Sequence, residues 1–332
     1  MRYRALGQLK TPISPIGIGA MSFTDFYGET NTKKSHDILD AAIDLGINHI
    51  DTSDIYGSGL SEERIGLFIK ANREAKKFFR IATKGGIERD SSGGTRFNNS
   101  KEYLTKCLEN SLERLGVEQV ELYYVHRREA ERSIEEVTET LQSLVKSGKT
   151  KQIGFSEISP NSLALASSVF PVAAVQSEYS LSTRYPELGL IQRTKQLGAS
   201  LVAFSPVGRS LLTDAPHDES KVKAMQFLRE NPRFVEPNLS RNIRATESFR
   251  SLARQMGLSA AALAISWLLT KDSHILPIPG TRSVDRLKSM ADGASRKLSK
   301  ADITEIEKTL PLGWAYGDRY STNQWIGPEK YC

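Results

Sequence analysis

The sequence has almost no cysteine. Cys107, inside a segment patterned as a helix, and Cys332, at the last position, are the two in 332 residues. They supply neither a disulfide framework nor a thiolate ligand pair, and no metal-ligand set is evident. Cysteine usage this sparse suits a reducing compartment, so the expected location is cytoplasmic. Long apolar runs are missing as well. The longest, 260–269, is interrupted by Ser266 and is far shorter than the roughly 20 residues needed to cross a bilayer. The opening MRYRALGQLK has basic residues but no apolar stretch behind them, so no secretory leader and no membrane partner are expected. Blocks of one charge are absent: 45 Lys and Arg against 39 Asp and Glu give a net +6. The doublets Lys33-Lys34, Lys76-Lys77 and Arg127-Arg128 stand alone, as solvated helix faces rather than a nucleic-acid stripe. No G-x-G-x-x-G follows any strand-like run, which removes the phosphate loop that an open dinucleotide-binding sheet requires.

What the chain does have is apolar substance and a repeat. Hydrophobic residues make up 39% and charged residues 25%, with a mean hydropathy of -0.37, which supports a packed core and excludes disorder. Short apolar, β-branched runs recur at 16–20, 47–51, 80–84, 121–126, 152–156, 173–176, 200–205 and 274–277. Between them, 33–45, 61–70, 101–115, 134–147, 159–169 and 187–196 place apolar residues at helical spacing. Ser61, with Glu63 and Arg64, reads as a helix start; Gly46, Gly116, Gly148 and Gly198 read as stops. Eight strand signals alternating with helices, with no linker, predict an α/β fold: a single (βα)₈ barrel domain spanning 1–332. The interval 207–275 is too long for one crossover. It is read as an insertion over the barrel mouth, a polar loop with Pro216, Pro232 and Pro237 and then helices at 242–256 and 259–269. The tail, 311–332, is rich in glycine and aromatics without either period and is read as an ordered loop near the mouth.

Barrel enzymes carry their chemistry where strands end, so polar residues closing an apolar run come first. Asp51 ends INHID, Tyr56 follows in DTSDIYG, Lys84 ends RIATK and His126 ends LYYVH. Singly, each has a structural use as a cap, a rim aromatic or a solvated charge. Together they form a proton-donor set: a phenol near pKa 10 needs cations beside it to release a proton at neutral pH. Lys84 and His126 are placed to supply them, with Asp51 holding Lys84 by an ion pair. With no metal ligands and no nucleophile–base pair, such a set suits protonation of a carbonyl oxygen as hydride reaches its carbon.

The stretches INHIDTSDIYGSGLSEERIG, IATKGG, LYYVHR, IGFSE, VQSEYS, FSPVGRSLL and LPIPGTRS, in this order, resemble those of the aldo-keto reductase superfamily along nearly the whole chain. The resemblance implies that Asp51, Tyr56, Lys84 and His126 are a catalytic tetrad, with Tyr56 as general acid in reduction. It implies NADPH as cofactor. Ser156, residue 157 and Gln176 would meet the nicotinamide carboxamide, and Phe204 would stack on the ring. Ser205, Pro206, Gly208, Arg209, Ser210 and Leu211 would close over the pyrophosphate. Gly280, Thr281, Arg282, Ser283 and Arg286 would take the 2′-phosphate, where a guanidinium fork, hydroxyls and a helix N-terminus suit a dianion. Two departures stand out. Position 157 is Glu where the family usually has Asn, and a carboxylate accepts from an amide NH₂ but cannot donate to its oxygen. Ser289-Met290 replaces the residues that often read the adenine.

By the same resemblance the substrate pocket is lined by Met21, Phe23 and Tyr27, by Arg127 beside Arg128, and by Trp314 or Trp325. Aromatic walls suit an apolar aldehyde or ketone. If it faces inward, Arg127 suits an anionic substrate, and otherwise it faces solvent or pairs with Glu129. The implied activity is NADPH-dependent carbonyl reduction. A cofactor-binding regulatory subunit with slow turnover is the second reading, and a Schiff-base barrel enzyme using Lys84 the third.

Overall fold

The computed structural model describes residues 2–89 and 94–331, so Cys332 lies outside the described residues. Eight parallel strands form one sheet: β1 (Ile18–Gly19), β2 (His49–Asp51), β3 (Arg80–Gly85), β4 (Val120–Val125), β5 (Thr150–Ser156), β6 (Ala174–Glu178), β7 (Ser200–Phe204) and β8 (Ile275–Pro277). Each pairs with its sequence neighbour. Backbone bonds from Gly17 N to Pro277 O (2.9 Å) and from Gly19 N to Pro279 O (3.0 Å) join the first strand to the last and close the barrel. All eight runs seen in the sequence become strands.

Helices follow the strands on the outside: α1 (Thr32–Asp44), α2 (Leu60–Ala71), α3 (Lys101–Leu115), α4 (Ile134–Lys146), α5 (Pro160–Val169), α6 (Leu190–Gln196), α7 (Ala260–Lys271) and α8 (Val284–Ser295). Side-chain oxygens of Asn31, Ser100, Ser133, Ser159, Ser259 and Ser283 accept from backbone N–H groups in the first turn of their helices. Two of the shifts from the predicted starts have a clear local cause. α2 begins at Leu60 behind Gly59, and the hydroxyl of Ser61 donates instead to Ala20 O at 2.9 Å. α6 begins at Leu190, because Gly189 sits at φ +113 and breaks the run predicted from 187.

Strand alternation divides the core in two. Ile81, Tyr123, Val125, Ile153 and Val175 point outward against the helices. Ala82, Leu122, Tyr124, Ala174, Val202 and Leu276 point inward, where Leu6 and Ile13 join them. Those two come from the hairpin Arg4–Leu6 with Thr11–Ile13, which plugs the end where the strands begin. The opposite end is left for chemistry. Over it lies the insertion, with helices at Glu219–Ala224, Asn238–Ala245 and Glu247–Gln255. The single helix predicted over 242–256 is thus two, broken at Thr246, whose hydroxyl donates back to Asn242 O. Leu211, Val222, Met225, Leu228, Phe234 and Leu239 form a satellite core there, with Tyr27 and Trp314 packed against it. Among the described residues the tail has no helix or strand after Thr309, yet Arg319 and Tyr320 in it are buried.

Candidate active site

Period-two alternation puts Lys84 on the inward face of β3 with Ala82, so its ammonium enters the barrel fully buried. Burying a charge is costly unless it is paired. The Nζ donates to Asp51 Oδ1 at 2.5 Å, to Thr52 O at 2.8 Å and to Tyr56 Oη at 3.3 Å, which uses its three hydrogens. Asp51 is held from the other side by Gln176 Nε2 at 2.7 Å. The ring of His126 stands edge-on to that of Tyr56, 5.7 Å between centroids. Its Nδ1 lies 3.0 Å from Ser53 Oγ. The four residues picked from strand ends therefore meet in one place.

Their ionisation follows from that packing. Burial opposes the charge on Lys84, but Asp51 and then Tyr56 outweigh it, and the ammonium is held above its ordinary value. Burial pushes the Tyr56 hydroxyl up, while Lys84 pulls it part of the way back. Burial, then Arg127 and Lys84, keeps His126 well below its ordinary value, so the ring is neutral at pH 7. This corrects one expectation: His126 does not stand beside the phenol as a cation, and that role falls to Lys84.

A second group of charges fills the ends of β5 and β6. Glu157, at φ +58, is 2% exposed and is gripped through both oxygens by Arg319 of the tail. Ser177 Oγ (3.2 Å) and Glu178 N (2.9 Å) also donate to its Oε1. Burial alone would raise its pKa, yet Arg319 reverses this and holds it below the usual carboxylate value. Glu178 accepts from Arg209 at 2.9 Å and lies 3.8 Å from Arg319. The Glu157 carboxylate, expected at the carboxamide, is thus engaged by the chain itself. Ser156 instead accepts from Arg127 Nη1 at 3.0 Å, and that arginine also donates to His126 O at 2.7 Å. Arg127 turns inward, and Glu129 binds Arg132 and the Asn99 backbone instead.

The loop after β7 is shaped to lie close to something. Ser205, Gly208, Arg209 and Ser210 all have positive φ, and Pro206 stiffens the turn between them. A Cβ on Gly208 would stand 2.9 Å from Ser182 Oγ. Arg209 reaches over the rings of Phe227 (4.6 Å) and Phe204 (5.9 Å). Beside it, the turn before α8 carries Gly280, where a Cβ would meet Gly19 O at 2.9 Å. Thr281 Oγ1 accepts from Ser283 N, and Ser283 caps α8 through Arg286 N. Arg282 lies against Gly28 and donates to Glu29 O at 3.2 Å. Burial and the neighbouring Arg286 lower its pKa, while burial, Lys221, Arg282 and Arg286 lower that of His217. Positive groups brought this close, at a helix N-terminus, favour an anion among them.

The pocket walls divide. Met21 and Tyr27 remain half-buried, but Phe23 is 1% exposed and belongs to the core, which corrects its placement as a lining residue. Trp314 is fixed by Nε1 to Leu181 O at 2.8 Å and packs on the satellite core. Trp325 donates to Asp318 at 2.8 Å and lies under Arg319, 4.7 Å from its guanidinium.

The aldo/keto reductase family model matches residues 15–311. The chain belongs to that family. "Aldo-keto reductase yakc [NADP(+)]" of Schizosaccharomyces pombe is 35% identical over 312 residues, 93% of this chain and 92% of that protein. "Probable aldo-keto reductase 1" of Glycine max is 34% identical over 316 residues, 95% and 90% of the two chains. Among solved structures, a glycerol dehydrogenase from Gluconobacter oxydans superposes with a TM-score of 0.80 at 25% identity, covering 93% of this chain and 95% of its own. The holo form of an aldo-keto reductase from Bacillus halodurans gives 0.77 at 27%, covering 98% and 99%.

In this aldo/keto reductase, residues not singled out from sequence border the candidate site: Arg319 grips Glu157, Glu178 accepts from Arg209, Ser53 lies against His126, Asp54 accepts from Ser53, and His217 feels Arg282 and Arg286. Arg319 sits in a tail with no period. The signal available was the pair of carboxylates, Glu157 and Glu178, placed at strand ends that become buried, because such groups require cations.

Proposed function

We propose that this chain is an NADPH-dependent oxidoreductase that reduces aldehydes or ketones to alcohols, working as one barrel domain over 1–332 with the 311–332 tail at the mouth. One observation carries the reading: Tyr56 Oη is 3.3 Å from a fully buried, Asp51-paired Lys84, beside a neutral His126. When bound, the nicotinamide supplies the hydride. Tyr56 gives its proton to the carbonyl oxygen, and Lys84 stabilises the phenolate left behind. Asp51 keeps the ammonium in place, and His126 orients the carbonyl.

The residues present suit the cofactor. Gln176 gives one amide hydrogen to Asp51 and keeps its oxygen to offer to a carboxamide. Ser156 offers a hydroxyl, and half-buried Phe204 a ring face. The positive-φ loop 205–210 presents backbone to the pyrophosphate, and Thr281, Arg282, Ser283 and Arg286 gather donors for the 2′-phosphate. That the relative from S. pombe carries NADP(+) in its name supports the same choice. Arg127, bonded to Ser156 and the His126 carbonyl, and half-buried Tyr27 would face a small carbonyl compound. A Schiff-base role for Lys84 is disfavoured, since its amine is held charged by Asp51. The test is NADPH absorbance against a panel of aldehydes and ketones. Multiple turnovers whose rate falls at least about a hundredfold in Tyr56→Phe support the reading; retention of more than roughly a tenth of the rate overturns it.

A further inference from the structure

Ser53 Oγ stands between three groups: His126 Nδ1 at 3.0 Å, Asp54 Oδ1 at 3.1 Å and Lys84 O at 3.2 Å. Ser53 is fully buried, and the Ile55 N–H also points at its oxygen at 3.4 Å. A hydroxyl has one hydrogen, so whichever group receives it decides what the others must do. His126 is neutral and carries one ring hydrogen, on Nδ1 or on Nε2. Among the described residues Nε2 takes no hydrogen bond, so its state is open to whatever occupies the site.

We propose that Ser53 and Asp54 form a relay that sets which nitrogen of His126 bears the hydrogen, making both positioning residues for the reaction proposed above. With Asp54 ionised, Ser53 donates to the carboxylate and accepts from Nδ1–H, leaving Nε2 bare. With Asp54 protonated, the carboxylic O–H donates to Ser53, whose hydrogen turns to Nδ1, and the ring hydrogen then sits on Nε2. Nothing is consumed: one proton enters at Asp54 and the ring hydrogen changes nitrogen through solvent or substrate. A hydrogen on Nε2 supports a carbonyl oxygen awaiting reduction; a bare Nε2 supports an alcohol hydroxyl awaiting oxidation.

The surroundings place this change in an accessible range. Burial, then Glu62 of α2, pushes Asp54 up to about 6, against Cys107 and Arg114 of α3 and Ser53 beside it. Tyr103 of α3 and Tyr123 of β4 also feel its charge and stay protonated, both pushed up by burial. Around His126 stand Lys84, Arg127, Tyr56 and Ser53; burial first, and then the cations Arg127 and Lys84, keep the ring from taking a second proton.

The inference rests on the proposed reaction only for its consequence, so the test reads the ring directly. In the full chain labelled with ¹⁵N-histidine, the His126 signals should pass from Nε2–H to Nδ1–H as pH rises through about 6. Asp54→Asn, whose amide donates to Ser53 at every pH, should hold Nε2–H throughout. Ser53→Ala should abolish the pH response. In parallel, carbonyl reduction by the wild type should fall severalfold between pH 5 and 8, and that fall should flatten in Asp54→Asn. A wild-type ring with one tautomer across this range, or a pH response unchanged in Asp54→Asn, overturns the relay. A tautomer change without any turnover would leave the relay standing and overturn the proposed reaction.

Discussion

Arg319 grips Glu157 through both carboxylate oxygens, which fastens the tail to the end of β5. Both side chains are buried, and Glu329 N adds a backbone bond to Glu157 O at 2.8 Å. Removing one partner of a buried pair leaves the other uncompensated, at about 3 to 5 kcal/mol. Arg319→Met should therefore lower the melting temperature by several degrees at pH 7, and Glu157→Gln combined with Arg319→Met should lose less than Arg319→Met alone. Glu157 has a folded pKa below its unfolded value, so its stabilisation is present above the unfolded pKa and is lost as pH falls. Thermal melts from pH 7 down to 4 should show Arg319→Met approaching wild type at the acid end. A gap that does not narrow would mean the pair is not what holds the tail.

Tyr56→Phe keeps the ring and removes only the proton. General acid catalysis contributes about 10² to 10⁴ in rate, so kcat should fall by at least about a hundredfold while NADPH binding stays within about twofold. Steady-state kinetics with fluorescence titration of the cofactor check both halves. Retention of more than roughly a tenth of kcat removes Tyr56 from the role of donor.

Lys84→Met leaves Asp51 buried with Gln176 as its remaining side-chain partner. The melt should drop by an amount corresponding to about 3 to 5 kcal/mol. Asp51→Asn, which keeps an acceptor for the ammonium, should lower kcat less than Lys84→Met does. Calorimetry of the two variants beside wild type decides the first point, and turnover the second.

Asp54 behaves oppositely to Glu157. Its folded pKa, about 6, lies above its unfolded value, so the stability it confers is full below the unfolded pKa and is lost as pH rises through 6. Asp54→Asn should thus stabilise the fold at pH 8, by at most about 1 to 3 kcal/mol since the group is only half-buried, seen as a higher melting temperature, and change little near pH 4. A variant less stable than wild type at pH 8 would show that the carboxylate is satisfied there.

The barrel was readable because each strand is a short apolar run whose neighbours are helical, a pattern imposed by burial on both faces. Asp51, Lys84 and His126 were readable for the same reason: each breaks or closes such a run. Arg319 and Asp54 were not. What makes Arg319 matter is a partner 162 residues away in sequence, and Asp54 gains its raised pKa from burial and then from Glu62, neither of which has a local sequence signature. Phe23 was misplaced because an aromatic in the first loop looks alike from sequence whether it faces the mouth or the core. His126 reads as a cation from sequence because its burial, the first cause of its lowered pKa, and the approach of Lys84 arise only on folding, although Arg127 is its chain neighbour.

Cofactor choice isolates the positive cluster before α8. NADPH differs from NADH by a 2′-phosphate near two negative charges at neutral pH, and only groups placed to meet it distinguish the two. Burial and then Arg286 lower the pKa of Arg282, and burial with Lys221, Arg282 and Arg286 lowers that of His217. A dianion among them relieves that repulsion as well as adding hydrogen bonds. Charge-assisted bonds contribute about 1.5 to 3 kcal/mol, so Arg282→Ala should raise Kd for NADPH by at least about tenfold and leave NADH nearly unchanged. Added salt should weaken NADPH more than NADH, because the distinguishing part is electrostatic and Arg282 is only half-buried. In the variant His217 should also respond: with one cation fewer beside it, its pKa should rise toward the ordinary histidine value, visible by NMR without any cofactor. Fluorescence titration of both nucleotides against wild type and Arg282→Ala settles the assignment. Equal weakening of the two, or a wild type that prefers NADH, would mean that Arg282 serves only to hold the first loop at Gly28 and Glu29.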